Sequence, residues 1–146
     1  MSERGHELEQ YGVIAWRFAA SGCGVEILLI TSRETRRWVV PRGNAIAGLR
    51  PYESAAQEAF EEAGIRGGVQ PREIGTYRYD KRARSGRVTP TLVHLYPMLV
   101  TEEVDAWPEQ KERERRWFAA EAAAGAVDEA DLADLIRGFP AIVTKA

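Results

Sequence analysis

The sequence predicts one α/β domain, and three observations carry that expectation. A chain of 146 residues with 45% hydrophobic content is long enough for one compact core. Short strand-like apolar runs alternate with Gly- and Pro-containing turns. Two segments show helical periodicity, one central and one near the end. No internal repeat, low-complexity tract or long linker divides the chain. Residues 1–10, largely polar, are expected to form a flexible tail, and residues 11–146 a single domain.

In chain order, residues 13–18 and 25–30 read as strands joined by the turn Ser21-Gly22-Cys23-Gly24. Residues 38–40 form a short apolar strand stopped by Pro41. Residues 51–65 form a helix: Pro51 suits the first turn, Glu53 the positive end and Gly64 the stop. Residues 74–79 and 91–100 are strand-like, with a basic turn (Lys81 to Arg87) between them, and Pro90 and Pro97 mark edges or bulges. Residues 115–118 give another short strand. At the end, Asp128 is placed to cap a helix carrying Leu132, Leu135 and Ile136, which Gly138 closes.

Composition excludes several classes. No apolar run approaches the roughly 20 residues of a spanning helix, so no membrane association is expected. The polar start carries no secretory pattern, and the lone Cys23 excludes an intrachain disulfide and a Cys-based zinc site. A reducing, cytoplasmic location is the expectation. The net charge of −2 conceals an uneven distribution in which 17 of the 20 basic residues are Arg. From Thr31 to Tyr52, five Arg face the single acid Glu34; from Glu53 to Glu62 there are four Glu and no base. Seven bases follow between Arg66 and Arg87, and six acids outweigh Lys111 and Arg113 between Thr101 and Glu114. The last block argues against a continuous basic surface for nucleic acid.

The acidic segment carries the chemistry. Ala56, Ala59, Phe60 and Ala63 form one apolar stripe, and Glu58, Glu61 and Glu62 fall within an arc of roughly 100° on the other side. Like charges at that spacing repel, and no Lys or Arg between Pro51 and Ile65 offsets them. A hard divalent cation would, because it takes oxygen ligands. The glycine-containing loop from Pro41 to Gly48 precedes the helix, and arginines flank it on both sides. Carboxylates that hold a cation and arginines that grip phosphate are what polyphosphate cleavage needs.

Read from Gly43, the segment resembles the Nudix box, which runs Gly, five residues, Glu, seven residues, Arg-Glu, hydrophobic, any, Glu-Glu, any, Gly, hydrophobic. Glu58, Ala59, Glu61, Glu62, Gly64 and Ile65 occupy their places, whereas Leu49 stands for the first Glu and Gln57 for the Arg. Losing both leaves no unpaired charge, and Gln57 can still donate to a carboxylate or complete a capping box with Ser54. Trp107-Pro108 and the run Arg113 to Phe118, followed by an Ala-rich stretch, resemble the diphosphoinositol-polyphosphate and diadenosine-polyphosphate branch.

The resemblance implies an α/β/α sandwich with a mixed sheet and the acidic helix packed on it. It implies Mg²⁺ or Mn²⁺ held by Gly43, Glu58, Glu61 and Glu62, with Glu61 or Glu62 activating water. An additional acid from outside the box is implied too, with Glu102, Glu103, Glu112 and Glu114 as candidates. Substrate phosphates are expected on Ser32, Arg33, Arg37, Arg42, Arg82, Arg84, Arg87 and Arg115. The expected activity is hydrolysis of a phosphoanhydride in a polyphosphorylated small molecule, a diphosphoinositol polyphosphate or a dinucleoside polyphosphate. The alternatives are cleavage of nucleoside triphosphates or RNA 5′ ends, and a non-catalytic Nudix-fold sensor. His94 reads as packed, Trp16 and Trp117 as core or cleft wall, and Trp38, Tyr77 and Tyr79 as aromatics able to stack on a base.

Overall fold

A computed structural model describes residues 7–144. In chain order the described residues form β1 (Leu8–Phe18), β2 (Val25–Thr31), β3 (Trp38–Val39), β4 (Arg42–Gly43), α1 (Pro51–Ala63), β5 (Ile65–Val69), β6 (Gly75–Arg82), β7 (Val88–Glu103), β8 (Arg115–Ala119), α2 (Ala120–Ala126) and α3 (Ala130–Thr144). The strands make one mixed eight-stranded sheet whose main path is β3-β2-β1-β7-β5. At its centre β1 runs parallel to β7, from Leu8↔Thr91 to Trp16↔Leu99. That pairing recruits Leu8–Gln10 into β1, so the expected tail is too long by these residues; residues 1–6 lie outside the described residues.

Both faces of the sheet are covered, which is why its central strands read as unbroken apolar runs. Ile14, Ile27, Leu29, Val93 and Leu95 face α2 and α3, meeting Ala123, Leu132, Ile136 and Phe139. Their strand neighbours Val13, Ala15, Leu28, Ile30, Tyr96 and Met98 point the other way, onto Ala55, Ala59 and Ala63 of α1. The result is the α/β/α sandwich with a mixed sheet.

Three expectations need correction. Pro97 marks a seam inside a central strand and not an edge: β7 pairs with β6 up to Leu95 and with β5 from Met98, and Pro97 faces the junction, where a donor has no strand to meet. β5 itself, with two glycines in five residues, carries little strand signal. The last helix runs through Gly138 and Pro140, because the fully buried Leu132, Ile136 and Phe139 hold it to the sheet. Its first carbonyl is that of Glu129, which accepts from the Ala133 N–H, while Asp128 lies 3.5 Å from Arg37.

α1 stops at Gly64, whose φ of 67° and ψ of 36° put it in the left-handed region, with its N–H on the Phe60 carbonyl. A Cβ there would stand 2.6 Å from the Trp107 ring. Gly64→Ala is expected to destabilise the fold by about 1–2 kcal/mol through the backbone alone, and further by displacing Trp107. Urea unfolding midpoints measure this; an unchanged midpoint contradicts a pinned helix end.

Candidate active site

The N-terminal half of the site is a close approach of strand and helix. A Cβ on Gly43 would lie 2.6 Å from Cγ of Glu58, so glycine lets β4 rest directly against that side chain. The preceding backbone N–H, of Arg42, donates to Glu62 Oε1 at 3.1 Å. The connecting loop is tied down by the buried Ser54, whose Oγ accepts from the Ile46 N–H at 2.9 Å. Glu53 accepts from the Arg50 N–H at 2.8 Å, so the first turn is closed by Arg50 and Glu53 and not by Ser54 and Gln57.

At the other end of α1, the segment 104–115 supplies donors to successive free carbonyls. Glu109 N–H reaches the Glu61 carbonyl at 3.0 Å, and Trp107 Nε1–H the Glu62 carbonyl at 3.1 Å. Arg115 Nη1 donates to the Ala63 carbonyl at 2.9 Å, and the Val104 N–H to the Gly64 carbonyl at 2.9 Å. α1 has no basic residue in its last turn, and Arg115 supplies that charge from β8, stacked 4.1 Å above Trp107. Arg115 thus caps the acidic helix, where the sequence expectation placed it on substrate phosphate.

The buried stripe of α1 is Ala55, Ala59 and Ala63 with Ser54 and Glu62, a rotation from the expected stripe that leaves Ala56 and Phe60 half-buried. Glu62 therefore lies under the helix and not on its solvated side. Burial pushes its carboxyl up to about 7 against the pull of Arg113 and the Arg42 N–H. Burial, then the neighbouring Glu61, pushes Glu58 up to about 6. Glu61 accepts from Gln57 Nε2 at 2.9 Å, so Gln57 retains one contact with a box carboxylate. Leu49 and Gln57 line one groove of about 540 Å³ together with Glu53, Ala56, Phe60 and Met98. The two departures from the box are neighbours in space.

An acid that sequence reasoning did not single out stands near these carboxylates. Glu109 bonds Arg113 Nε at 2.7 Å, and its charge raises the pKa values of both Glu58 and Glu62. The four expected extra acids each have a partner: Glu102 with Arg66, Glu103 with Trp117, Glu112 with Arg33 and Glu114 with Arg116. The one available signal was position, since Glu109 follows Trp107-Pro108 in a loop that returns to the helix. The donor set of Gly43, Glu58, Glu61, Glu62 and Glu109 is all oxygen, as a hard divalent cation requires. Among the described residues no three acidic, histidine or cysteine side chains stand together on one point.

The expected phosphate grips divide. Arg33 is exposed, pairs with Glu112 at 3.1 Å and feels the charges of Glu109 and Glu62, so it borders the site. Ser32 Oγ closes its own turn with Thr35 and the Arg37 N–H. Arg37 is held by Glu129 at 3.0 Å, and Arg42 turns its guanidinium onto Tyr79, 4.0 Å above the ring. Arg82, Arg84 and Arg87 occupy the exposed end of the β6–β7 hairpin. Six residues of β7 separate Val88 from His94, which is level with Tyr11 and Gly43, so that end is about 20 Å from Gly43. His94 is largely buried, stacked on Tyr11 and bonded to Glu73 at 2.6 Å and Glu9 at 2.7 Å. Burial opposes its charge, but the two carboxylates outweigh that and raise its pKa.

A mixed sheet between helical layers, with an acidic helix lying on a glycine strand, defines an α/β/α protein of Nudix architecture. The NUDIX domain family model matches residues 9–139, and the chain belongs to that family. Nudix hydrolase 17, mitochondrial, of Arabidopsis thaliana is 32% identical over 130 residues, covering 80% of this chain and 69% of the relative. Diphosphoinositol polyphosphate phosphohydrolase 3-beta of Bos taurus is 33% identical over 103 residues, covering 67% and 57%. The chain thus spans between about half and two thirds of the length of the curated relatives it matches. Among solved structures, a C. elegans Ap4A hydrolase binary complex shares the fold with a TM-score of 0.69 at 22% identity, over 95% of this chain and 99% of that one.

The burial of Glu62 has a pH signature in metal-free protein. Its folded pKa, about 7, lies above its ordinary value of 4.5. The stability contributed by the protonated form is therefore full below pH 4.5 and is lost as pH rises through 7. Glu62→Gln removes this loss, so at pH 8 in chelator the variant is expected to be more stable than wild type, by on the order of 3 kcal/mol. Denaturation curves at pH 5 and pH 8 measure it. His94 acts in the same direction but is common to both proteins.

Proposed function

We propose that the chain is a metal-dependent pyrophosphohydrolase acting on a polyphosphorylated small molecule. The observation that carries this reading is the set of oxygen donors on and beside α1, with Glu58 against Gly43, Glu62 sunk beneath the helix and Glu109 in the adjoining loop. Glu58 and Glu62, with the Gly43 carbonyl, would hold Mg²⁺ or Mn²⁺. When bound, the cation offsets charge on the phosphoryl oxygens and orients water. Of Glu61 and Glu62, one would accept the proton as the water oxygen bonds to phosphorus and the bridging P–O bond breaks, the leaving phosphate taking the electron pair. Arg33 borders this point and would bind a non-reacting phosphate through its fork.

Diphosphoinositol polyphosphates and dinucleoside polyphosphates lead the substrate classes, supported by the names of the Bos taurus relative and the C. elegans neighbour. Phosphate release from both, with Mg²⁺ and with Mn²⁺, tests the proposal. Wild type is expected to turn over one of them, and Glu62→Gln to lower kcat by about 100-fold or more. Equal rates for the two proteins would sink it. The departures at Leu49 and Gln57 favour a second reading, a ligand sensor; calorimetry showing tight binding of such a substrate without turnover would select it.

A further inference from the structure

Position 57, where the box places an arginine, holds a glutamine that reaches Glu61 alone and brings no charge. The other arginines near the carboxylates are committed elsewhere: Arg42 to Tyr79, Arg115 to the α1 carbonyls, and Arg33 to Glu112 on the surface. Among the described residues, the one cation in ion-pair contact with a box carboxylate is Arg113. It comes from the end of the capping segment, a part of the chain unrelated to the box.

The setting of Arg113 is built. Its side chain is only 9% exposed, and its three nitrogens reach β2, α1 and an acid of its own loop. Nε donates to Glu109 Oε1 at 2.7 Å, Nη1 to the Thr31 carbonyl at 3.1 Å, and Nη2 lies 3.6 Å from Glu62 Oε2. The neighbouring backbone is fixed as well: the Glu114 N–H donates to Thr31 Oγ1 at 2.8 Å, and the Thr31 N–H to the Glu114 carbonyl at 3.0 Å. A planar guanidinium anchored to β2 has one orientation left, and that orientation sets where Glu109 and Glu62 stand relative to each other. A long carboxylate side chain held this way has already lost the rotamer freedom that binding would otherwise cost.

We infer that Arg113 is a positioning residue of the carboxylate site, supplying from the loop the charge absent at Gln57 and fixing Glu109 and Glu62 relative to each other for cation binding. This rests on the hydrolase reading and deepens it. The test uses the full chain and three variants, Arg113→Gln, Arg113→Lys and Glu109→Gln, plus the double variant of Arg113→Gln with Glu109→Gln. Mn²⁺ binding is followed by electron paramagnetic resonance, and kcat and KM on whichever polyphosphate wild type hydrolyses. Arg113→Gln is expected to weaken Mn²⁺ binding and lower kcat by about tenfold each, with KM within about threefold. Arg113→Lys should recover part of both, because it keeps the charge and loses the fork. If Arg113 acts through Glu109, the double variant is no worse than the more impaired single variant. A rise in KM alone would make Arg113 a substrate grip and overturn the assignment, as would unchanged Mn²⁺ affinity and kcat. Should Arg113→Gln fail to fold, Arg113→Lys and Glu109→Gln give the same reading from the two ends of the contact. A wild type that neither binds Mn²⁺ nor hydrolyses any polyphosphate overturns the hydrolase reading, and this assignment with it.

Discussion

The carbonyl end of α1 is the constraint on which the site depends. A helix that presents three carboxylates near its C-terminus works against its own dipole, since acids belong at the other end. Its last carbonyls would also lie unsatisfied against the sheet. The segment 104–115 answers both problems, with backbone and indole donors on the carbonyls of Glu61, Glu62 and Gly64 and the Arg115 guanidinium on Ala63. With that end secured, a row of alanines suffices for the packing. Ala55, Ala59 and Ala63 let the helix lie low on β1, and the low position is what buries Glu62.

Much of this was legible in the chain, and the reason differs from element to element. Apolar runs in β1, β2 and β7 announce strands, and the four Glu of residues 53–62 without a base announce an acidic helix. Gly43 and Gly64 could be placed because each bears a constraint that side chains cannot meet, one a close approach and the other a positive φ. The rest was hidden by tertiary override. Packing of Phe139 carries α3 past a glycine and a proline that end helices in isolation. β5 exists because β7 offers it an edge, and its own residues say little.

The arginines show where composition misleads. Their number suggested a surface made for phosphate, yet the structure spends several of them on the protein itself: Arg115 on helix carbonyls, Arg37 on Glu129, Arg42 on an aromatic ring and Arg113 on two carboxylates. The forked geometry that fits phosphate fits these internal acceptors equally well. Local sequence cannot distinguish the uses, because Ala63, Glu129, Tyr79 and Glu62 lie 37 or more residues from the arginines they hold. The same long range hid Glu109, whose neighbours in sequence carry as much charge and face elsewhere.

The capping segment also sets an order of events during synthesis. Trp107 and Arg115 reach carbonyls 45 and 52 residues earlier in the chain. A nascent chain therefore exposes α1, with its carboxylates and free carbonyls, well before the residues that complete it have been made. Closing loops of that length costs entropy before any contact repays it, so this end of the domain is placed to assemble late. The site is then among the last parts of the molecule to form, and a truncation that removed β8 would leave the acidic helix without the end on which it is built.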